Sequence, residues 1–229
     1  MLNYYLFHKV KEGMSESINW NRQQSLGEEI ANSISHGMGF LAAVAITPVL
    51  IVKTIPIGAA AITGVSIFGA TMMVLYLSST LYHAFPHNKA KRVFRIFDHS
   101  AIFLLIAGTY TPFTLSVLPG AWGWTLFGIV WSLAVGGVIL KSVKSVGTSK
   151  LSIALYLGMG WLALLAVKPL FESMPAWGLF WLLAGGLMYS IGVFFFAYDH
   201  RIRYSHFIWH IFVLAGTACH VVAVLGYTM

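Results

Sequence analysis

Charged residues are scarce in this chain. Asp, Glu, Lys and Arg make up only 9% of its 229 residues, whereas a typical soluble domain contains about 25%. At the same time 58% of the residues are hydrophobic and the mean hydropathy is +0.78. This shortage of charge excludes an ordinary soluble fold and predicts a protein embedded in lipid. The length suits a short polar N-terminal segment, residues 1–28, followed by one membrane domain, residues 29–229.

Cysteine is nearly absent, and no leader is expected. Cys219 is the only cysteine, which excludes an intramolecular disulfide. Charged residues interrupt the N-terminal segment, so we expect no cleaved signal peptide and insertion driven by the first spanning helix. The net charge of +7 comes from short clusters of Lys and Arg between apolar runs. That pattern indicates membrane topology and no nucleic acid partner.

Long apolar runs take the place of charge. Residues 99–140 contain no Asp, Glu, Lys or Arg, about twice the roughly 20 residues that a helix needs to cross the hydrocarbon. Two spans must share this run, divided at the turn dipeptide Pro119-Gly120. The other spans are predicted at residues 30–52, 58–82, 151–167, 175–198 and 206–226, with Lys168 and Pro169 ending the fifth. The sequence therefore predicts an all-α fold, a bundle of seven transmembrane helices.

The basic residues gather on one side of these spans. Twelve of the 14 Lys and Arg residues are predicted on the side of the N-terminus, and only Lys53 and Lys168 on the other. Lys and Arg accumulate in cytoplasmic loops. We therefore predict a cytoplasmic N-terminus and an outside C-terminus at Met229.

Several histidines and one aspartate lie where lipid makes ionisable groups costly, which suggests a function. His206 and His210 are one helical turn apart, a spacing that lets two imidazoles bind one metal ion. His83 ends the second span and Asp98 begins the third, so both reach the same inner side. Three imidazoles with one open position are typical of a catalytic zinc site, in which the metal lowers the pKa of bound water to about 7.

The remaining polar residues would support this site. Asp98 would orient or deprotonate the water, and Ser79, one turn before His83, would donate a hydrogen bond to a ligand or its water. A polar stripe near the inner end of the first span could face the site as well: Glu29, Asn32 and His36. A helix start with an interhelical hydrogen bond explains this stripe equally well.

Other features predict packing or solvation and no chemistry. His220 is ten residues beyond His210, about 15 Å along a helix, so it cannot share the metal and is expected to be a satisfied core residue. The pairs Gly136-Gly137 and Gly185-Gly186 would let neighbouring helices approach closely. Histidines in or beside loops are expected to be solvated, namely His87, His99 and His200.

Four stretches together resemble the bacterial hemolysin III family, which is similar to the progestin and adipoQ receptors. They are Glu28–Gly37, Ser79–His83, Phe97–Ser100 and His206–His210. The resemblance covers the whole seven-helix region and implies a multi-pass protein of the bacterial cytoplasmic membrane. It also implies zinc ligation by His83, His206 and His210, with Asp98 and Ser79 beside the metal and its water.

The resemblance carries expectations about function. The eukaryotic relatives look like zinc amidohydrolases acting on ceramide-type lipids, within a superfamily that includes the alkaline ceramidases, which implies a lipid-like substrate. The bacterial branch is associated by name with cytolysis and otherwise with membrane lipid or energetic homeostasis. Compared with the receptor branch, we expect no long N-terminal domain here, and only a bare turn, residues 119–121, is expected to face the outside between the third and fourth spans. We therefore expect no extracellular protein ligand.

Three functions remain open at this point. The favoured hypothesis is a zinc-dependent membrane hydrolase that cleaves a lipid amide or ester, with the lipid chain reaching the site from the inner leaflet through an apolar cavity. A sensor or regulatory protein with a structural zinc would instead have a closed four-ligand shell, with Asp98 or another group in the fourth position. A pore-forming cytolysin would need a continuous polar face, which the apolar fourth to sixth spans do not offer.

Overall fold

Helices make up all the regular structure in the part of the chain that the computed structural model describes, residues 22–86, 88–118, 120–144 and 150–227. For Lys144, Lys150 and Tyr227 only the backbone is described. Most of the predicted N-terminal segment, together with His87, Pro119 and Met229, lies outside these ranges. The helices are α1 Leu26–Thr54, α2 Ala59–Ala84, α3 Lys89–Ser116, α4 Gly120–Lys144, α5 Lys150–Gly160, α6 Val167–Ser173, α7 Ala176–Ala197 and α8 Ser205–Tyr227, with a 3₁₀ segment at Leu162–Ala166 between α5 and α6.

Seven stretches of the described residues are long and apolar enough to cross a membrane. Each contains an 18-residue window with a mean hydropathy between 1.3 and 2.0, and the fifth combines α5, the 3₁₀ segment and α6. Large apolar side chains such as Leu41 and Phe171 are each 67% exposed on the outer surface, which lipid tolerates and water does not. The predicted all-α fold of seven spanning helices is confirmed.

Short connections make successive spans antiparallel, so α1, α3, α5 and α8 all begin at one end of the bundle. This end is called the N-side. A capping box starts α1 there, because the Ser25 hydroxyl accepts from the Glu28 backbone N–H (3.4 Å) while the Glu28 carboxylate accepts from the Ser25 N–H (2.9 Å). The identity of the N-side with the cytoplasmic side stays a prediction.

The third span begins earlier than the sequence predicted. Asp98 was expected to open it, but α3 starts at Lys89, where the Asn88 side chain accepts from the Lys91 backbone N–H (3.0 Å) and caps the helix. Charge limits the apolar window of a span, yet it does not stop a helix from extending beyond the lipid. Asp98 and His99 therefore lie well inside a helix, and both are 5% exposed. The expectation that His99 is solvated is wrong.

The fifth span also differs from the prediction. Lys168 and Pro169 do not end it, because α6 continues to Ser173. Pro169 lies in the first turn of α6, where a missing N–H costs no helical hydrogen bond. The break between α5 and α6 is bridged by Tyr110, whose hydroxyl donates to the Gly160 carbonyl (2.8 Å) and accepts from the Ala163 N–H (3.0 Å). Backbone groups freed in lipid are thus satisfied by a neighbouring helix.

One glycine of each predicted pair lies at a close helix contact. A Cβ on Gly137 would meet the Phe103 ring within 2.5 Å, and one on Gly185 would overlap the His220 imidazole. A Cβ on Gly136 or Gly186 would have no neighbour within 4 Å. The predicted close approach of helices therefore occurs at Gly137 in the first pair and at Gly185 in the second.

Candidate metal centre

The three predicted histidine ligands lie together at the N-side of the bundle. His83 is in the last turn of α2, and His206 and His210 are in the first turns of α8. Their ring centroids are 4.8 to 5.1 Å apart, and one nitrogen from each lies within 4.8 Å of the others. All three side chains are buried. Helices distant in sequence thus bring three imidazoles to one point.

Each ring uses its Nδ1 atom to contact an oxygen acceptor. His83 Nδ1 is 2.7 Å from Glu29 Oε2, His206 Nδ1 is 3.3 Å from Asp199 Oδ2, and His210 Nδ1 is 3.2 Å from the Asn32 carbonyl oxygen. A carboxylate or carbonyl oxygen only accepts, so each Nδ1 carries the hydrogen and donates it. The lone pair of each neutral ring is then on Nε2.

The Nε2 atom of His83 suits a metal ion. His83 Nε2 is buried and makes no hydrogen bond with any residue that the structure describes. A buried polar atom without a partner is costly and calls for an explanation such as a bound ion. Metal-binding histidines almost always donate their other ring N–H to a carboxylate or carbonyl, which is the pattern of all three rings. The buried histidines could therefore hold a metal ion.

Asp98 and Ser79 are both close to these rings. Asp98 lies with His206 and His210 in the wall of one cavity, and it is 5% exposed. Ser79 is completely buried beside Asp98, with its hydroxyl directed at the Asp98 carboxylate. Asp98 and Ser79 therefore lie next to the histidine cluster, and their roles there stay predictions.

The polar stripe of α1 contacts this cluster in three different ways. Glu29 contacts His83 through its carboxylate, as described above. Asn32 contacts His210 through its backbone carbonyl, while its side chain donates to Gln24 Oε1 (2.7 Å). His36 stacks on His210 with a centroid distance of 3.5 Å and an interplanar angle of 3°. Both His36 ring nitrogens are buried without a hydrogen-bond partner among the described residues.

Comparison with known proteins gives the same grouping. The family model described as haemolysin-III related matches residues 24–221. The chain belongs to the haemolysin-III related family. It is 45% identical to Hemolysin-3 of Bacillus cereus over 207 residues, which is 90% of this chain and 94% of that protein. It is 47% identical to the Hemolysin-3 homolog of Bacillus subtilis (strain 168) over 204 residues, 89% of this chain and 95% of the relative.

A more distant relative comes from animals. The human Monocyte to macrophage differentiation factor is 30% identical over 170 residues, which is 70% of this chain and 68% of that protein. The resemblance to the hemolysin III family, with distant relatives among the animal receptor-like proteins, is confirmed. Like its haemolysin-III relatives, the chain is a multi-pass membrane protein.

A long apolar cavity leads away from the histidine cluster of this haemolysin-III related protein. Its volume is about 520 Å³, and it extends from His210 and Asp98 at the N-side to Phe113 and Leu118 near the far end of α3. Its wall also contains His220, which was expected to be a satisfied core residue; it is buried, and its Nε2 is 3.3 Å from the Leu182 carbonyl oxygen. The volume is in the usual range for a pocket that encloses a small organic ligand.

One side of this cavity is thin. Leu164, Phe171, Phe180 and Leu183 line the cavity, yet each is more than half exposed on the outer surface of the bundle. These residues belong to the fifth span and to α7, in the half of the bundle away from the N-side. A single layer of side chains therefore separates the cavity from the surrounding lipid there.

Sequence reasoning missed three residues at the site. Asp199 contacts His206 from the loop before α8. Lys91 is 6% exposed and donates from Nζ to Glu29 Oε1 (2.8 Å). Ser35 Oγ is 3.1 Å from His210 Nδ1. The distribution of acidic residues could have pointed to Asp199, because Glu172 is the only described acidic residue that lies away from the N-side. Nothing in the sequence separates Lys91 from the basic residues around it.

Proposed function

We propose that this protein is a zinc-dependent membrane hydrolase that cleaves an amide or ester bond of a lipid. One observation carries the proposal: the clustered histidines His83, His206 and His210 adjoin an apolar cavity of about 520 Å³ whose wall includes Asp98, His206 and His210. A reactive polar end joined to a long apolar channel suits an amphiphile whose scissile bond lies next to its hydrocarbon chain.

Zinc, when held by three imidazoles, supplies a Lewis acid and lowers the pKa of a coordinated water. Asp98 orients the attacking water and accepts its proton as the water oxygen adds to the lipid carbonyl carbon. The same carboxyl returns the proton to the amine or alcohol that leaves when the amide or ester bond breaks. The buried Ser79 hydroxyl donates a hydrogen bond to the water or to the substrate carbonyl oxygen.

The composition of the cluster favours catalysis over a structural role for the metal. Within the described residues the group that could hold an ion consists of His83, His206 and His210, without Asp98 or any other fourth ligand. A structural zinc site is normally closed by four protein ligands, whereas a catalytic site keeps one position open. The cavity, which reaches the cluster, provides space at that open position.

The cavity also bears on the substrate and on the pore hypothesis. Its wall is mainly apolar along α3, the fifth span and α7, which suits a hydrocarbon chain and not a file of ions. The thin wall formed by Phe171, Phe180 and their neighbours favours access from the lipid in the half away from the N-side. This differs from the access through the inner leaflet that the sequence suggested. The N-side, where the basic residues lie, is taken as the cytoplasmic side.

The test is metal content together with lipid hydrolysis in the purified protein. We expect about one zinc per chain, and release of fatty acid from a panel of N-acyl and O-acyl lipids in nanodiscs, detected by mass spectrometry. His210→Ala should lose both the zinc and the release of fatty acid. His220→Asn is the matched control for metal content, because His220 is also buried in the same helix but contacts Leu182.

Two results would count against the proposal. Zinc in the wild type without fatty-acid release from any lipid of the panel would favour the sensor hypothesis. Fatty-acid release that persists after the metal is removed by a chelator would disprove a metal-dependent reaction.

A further inference from the structure

Lys91 is unusual among the basic residues at the start of α3. Its neighbours Lys89 and Arg92 are exposed, whereas Lys91 is 6% exposed. Lysine is almost never buried unless its charge is paired. Here Nζ donates to Glu29 Oε1 (2.8 Å) and to the Phe85 carbonyl (3.3 Å), and it lies 4.8 Å from the centre of the Tyr82 ring. The ammonium group is thus held from three sides.

The two carboxylate oxygens of Glu29 contact different partners, the Lys91 ammonium group and the imidazole of the proposed metal ligand His83. Oε1 accepts from Lys91, and Oε2 is 2.7 Å from His83 Nδ1. The Glu29 side chain is 14% exposed, and that of His83 is 1% exposed. Because Lys91 fixes the direction of Oε1, the second oxygen is left facing the imidazole. The three side chains form a chain of contacts from α3 through α1 to α2.

The contacts from Lys91 through Glu29 to His83 determine which nitrogen of the His83 ring faces the metal. Glu29 accepts the hydrogen on Nδ1, so the lone pair of the ring is on Nε2, the buried atom without another partner among the described residues. Hydrogen bonds of this kind fix ring orientation and raise the basicity of the metal-binding nitrogen. Similar contacts hold His206 and His210, but only at His83 is the acceptor itself paired with a buried cation.

We propose that Glu29 and Lys91 are positioning residues that set the affinity of the histidine cluster for its metal ion. Neither residue binds the metal. Glu29 orients His83, and Lys91 acts through Glu29. The proposal rests on the metal centre of the proposed function, but it makes no claim about the reaction or the lipid.

The experiment measures metal affinity in the absence of substrate. Purified full-length protein in nanodiscs is titrated with Zn²⁺ against a chromophoric chelator, and with Co²⁺ to record its visible absorption spectrum. Glu29→Gln keeps the shape of the side chain but removes its charge, and we expect affinity to fall about 10- to 100-fold. Lys91→Met should lower affinity in the same direction, and Lys91→Arg should restore part of it because a cation is retained. Lys89→Met, an exposed lysine in the same turn, should match the wild type.

The Co²⁺ spectrum separates positioning from a purely structural tether between α1 and α3. Altered orientation of His83 should shift the absorption bands of Glu29→Gln and Lys91→Met, whereas a tether would change only the thermal stability of the metal-free protein. Wild-type affinity and an unchanged spectrum in both variants would overturn the proposal and leave the hydrolase untouched. Weakened metal binding alongside a wild type that cleaves no lipid would support the positioning role and count against the hydrolase. Absence of metal binding in the wild type would overturn both.

Discussion

Arg22 and Glu28 form a bidentate ion pair at the N-side, with N···O distances of 2.6 and 2.9 Å. The same two side chains hold the loop before α8, because Arg22 Nη2 donates to the Asp199 carbonyl (3.2 Å) and Glu28 Oε1 accepts from the Tyr204 N–H (2.8 Å). The hydrogen bonds to Glu28 raise the pKa of Arg22, which lies outside the spans, so its charge is retained. This pair therefore connects the start of α1 to the loop that carries Asp199, the partner of His206.

Replacement of Arg22 should loosen this loop. In Arg22→Met the Glu28 carboxylate, whose side chain is 2% exposed, loses its charged partner. We expect a loss of about 1–3 kcal/mol in the free energy of unfolding, since a buried carboxylate loses two charge-assisted hydrogen bonds. Thermal unfolding in detergent measures the loss, and Gln23→Met, an exposed neighbour, is the control. Equal stability of the two variants would show that the pair does not hold the loop.

His36 should be dispensable for metal binding. Its ring lies flat on His210, but its nitrogens make no hydrogen bond with the described residues and it is outside the group that could hold an ion. We expect His36→Phe, which preserves a ring in the stack, to retain metal, and His210→Phe to lose it. Elemental analysis of the two purified variants decides this. Loss of metal from His36→Phe would make His36 a ligand.

The cavity should limit the length of the acyl chain. Val213 is 3% exposed and lines the cavity in α8, so Val213→Trp places a large ring in the path of the chain. We expect hydrolysis of long-chain lipids to fall while short-chain analogues and metal content are little affected. Ile139→Trp, on the lipid-facing surface of α4, is the control. If long and short chains lose activity equally, the chain does not occupy this cavity.

The two adjacent glycines of α4 should respond in opposite ways to alanine. Gly137→Ala forces a methyl group against Phe103 and should destabilise the bundle by about 1–3 kcal/mol. Gly136→Ala meets no neighbour within 4 Å and should be neutral, or stabilising by about 0.5–1 kcal/mol through its helix propensity. Unfolding in denaturant or by heat compares the pair. A similar loss for both variants would contradict the close contact at Gly137.

Cysteine labelling can test the orientation, which stays a prediction. In a Cys219→Ala background, Lys168→Cys and Arg92→Cys place single exposed thiols at opposite ends of the bundle. An impermeant maleimide applied to intact cells should label Lys168→Cys and spare Arg92→Cys until the membrane is opened. The reverse result would invert the assignment of the basic end to the cytoplasm.

Two pairs of site residues were predictable because their members are four residues apart on one helix. The turn between His206 and His210, and that between Ser79 and His83, follow from helix geometry once the spans are known. The partners of these rings were not predictable in the same way. Asn32 was noticed for its side chain, but the atom that contacts His210 is its backbone carbonyl. Lys91 was counted among topology signals, because burial of a lysine depends on a carboxylate from another helix.

The sequence by itself determined the seven spans, the family and the set of ionisable residues that lipid would not accept without a purpose, since hydropathy and helical spacing are local properties of the chain. Only the tertiary structure decided that α3 starts at Lys89 and buries His99, that the fifth span breaks and continues to Ser173, and that Gly137, not Gly136, faces a neighbour. It also decided which oxygen each imidazole contacts and that an apolar cavity ends at the cluster. These features arise where helices distant in sequence pack together, and packing of that kind leaves no periodic trace along the chain.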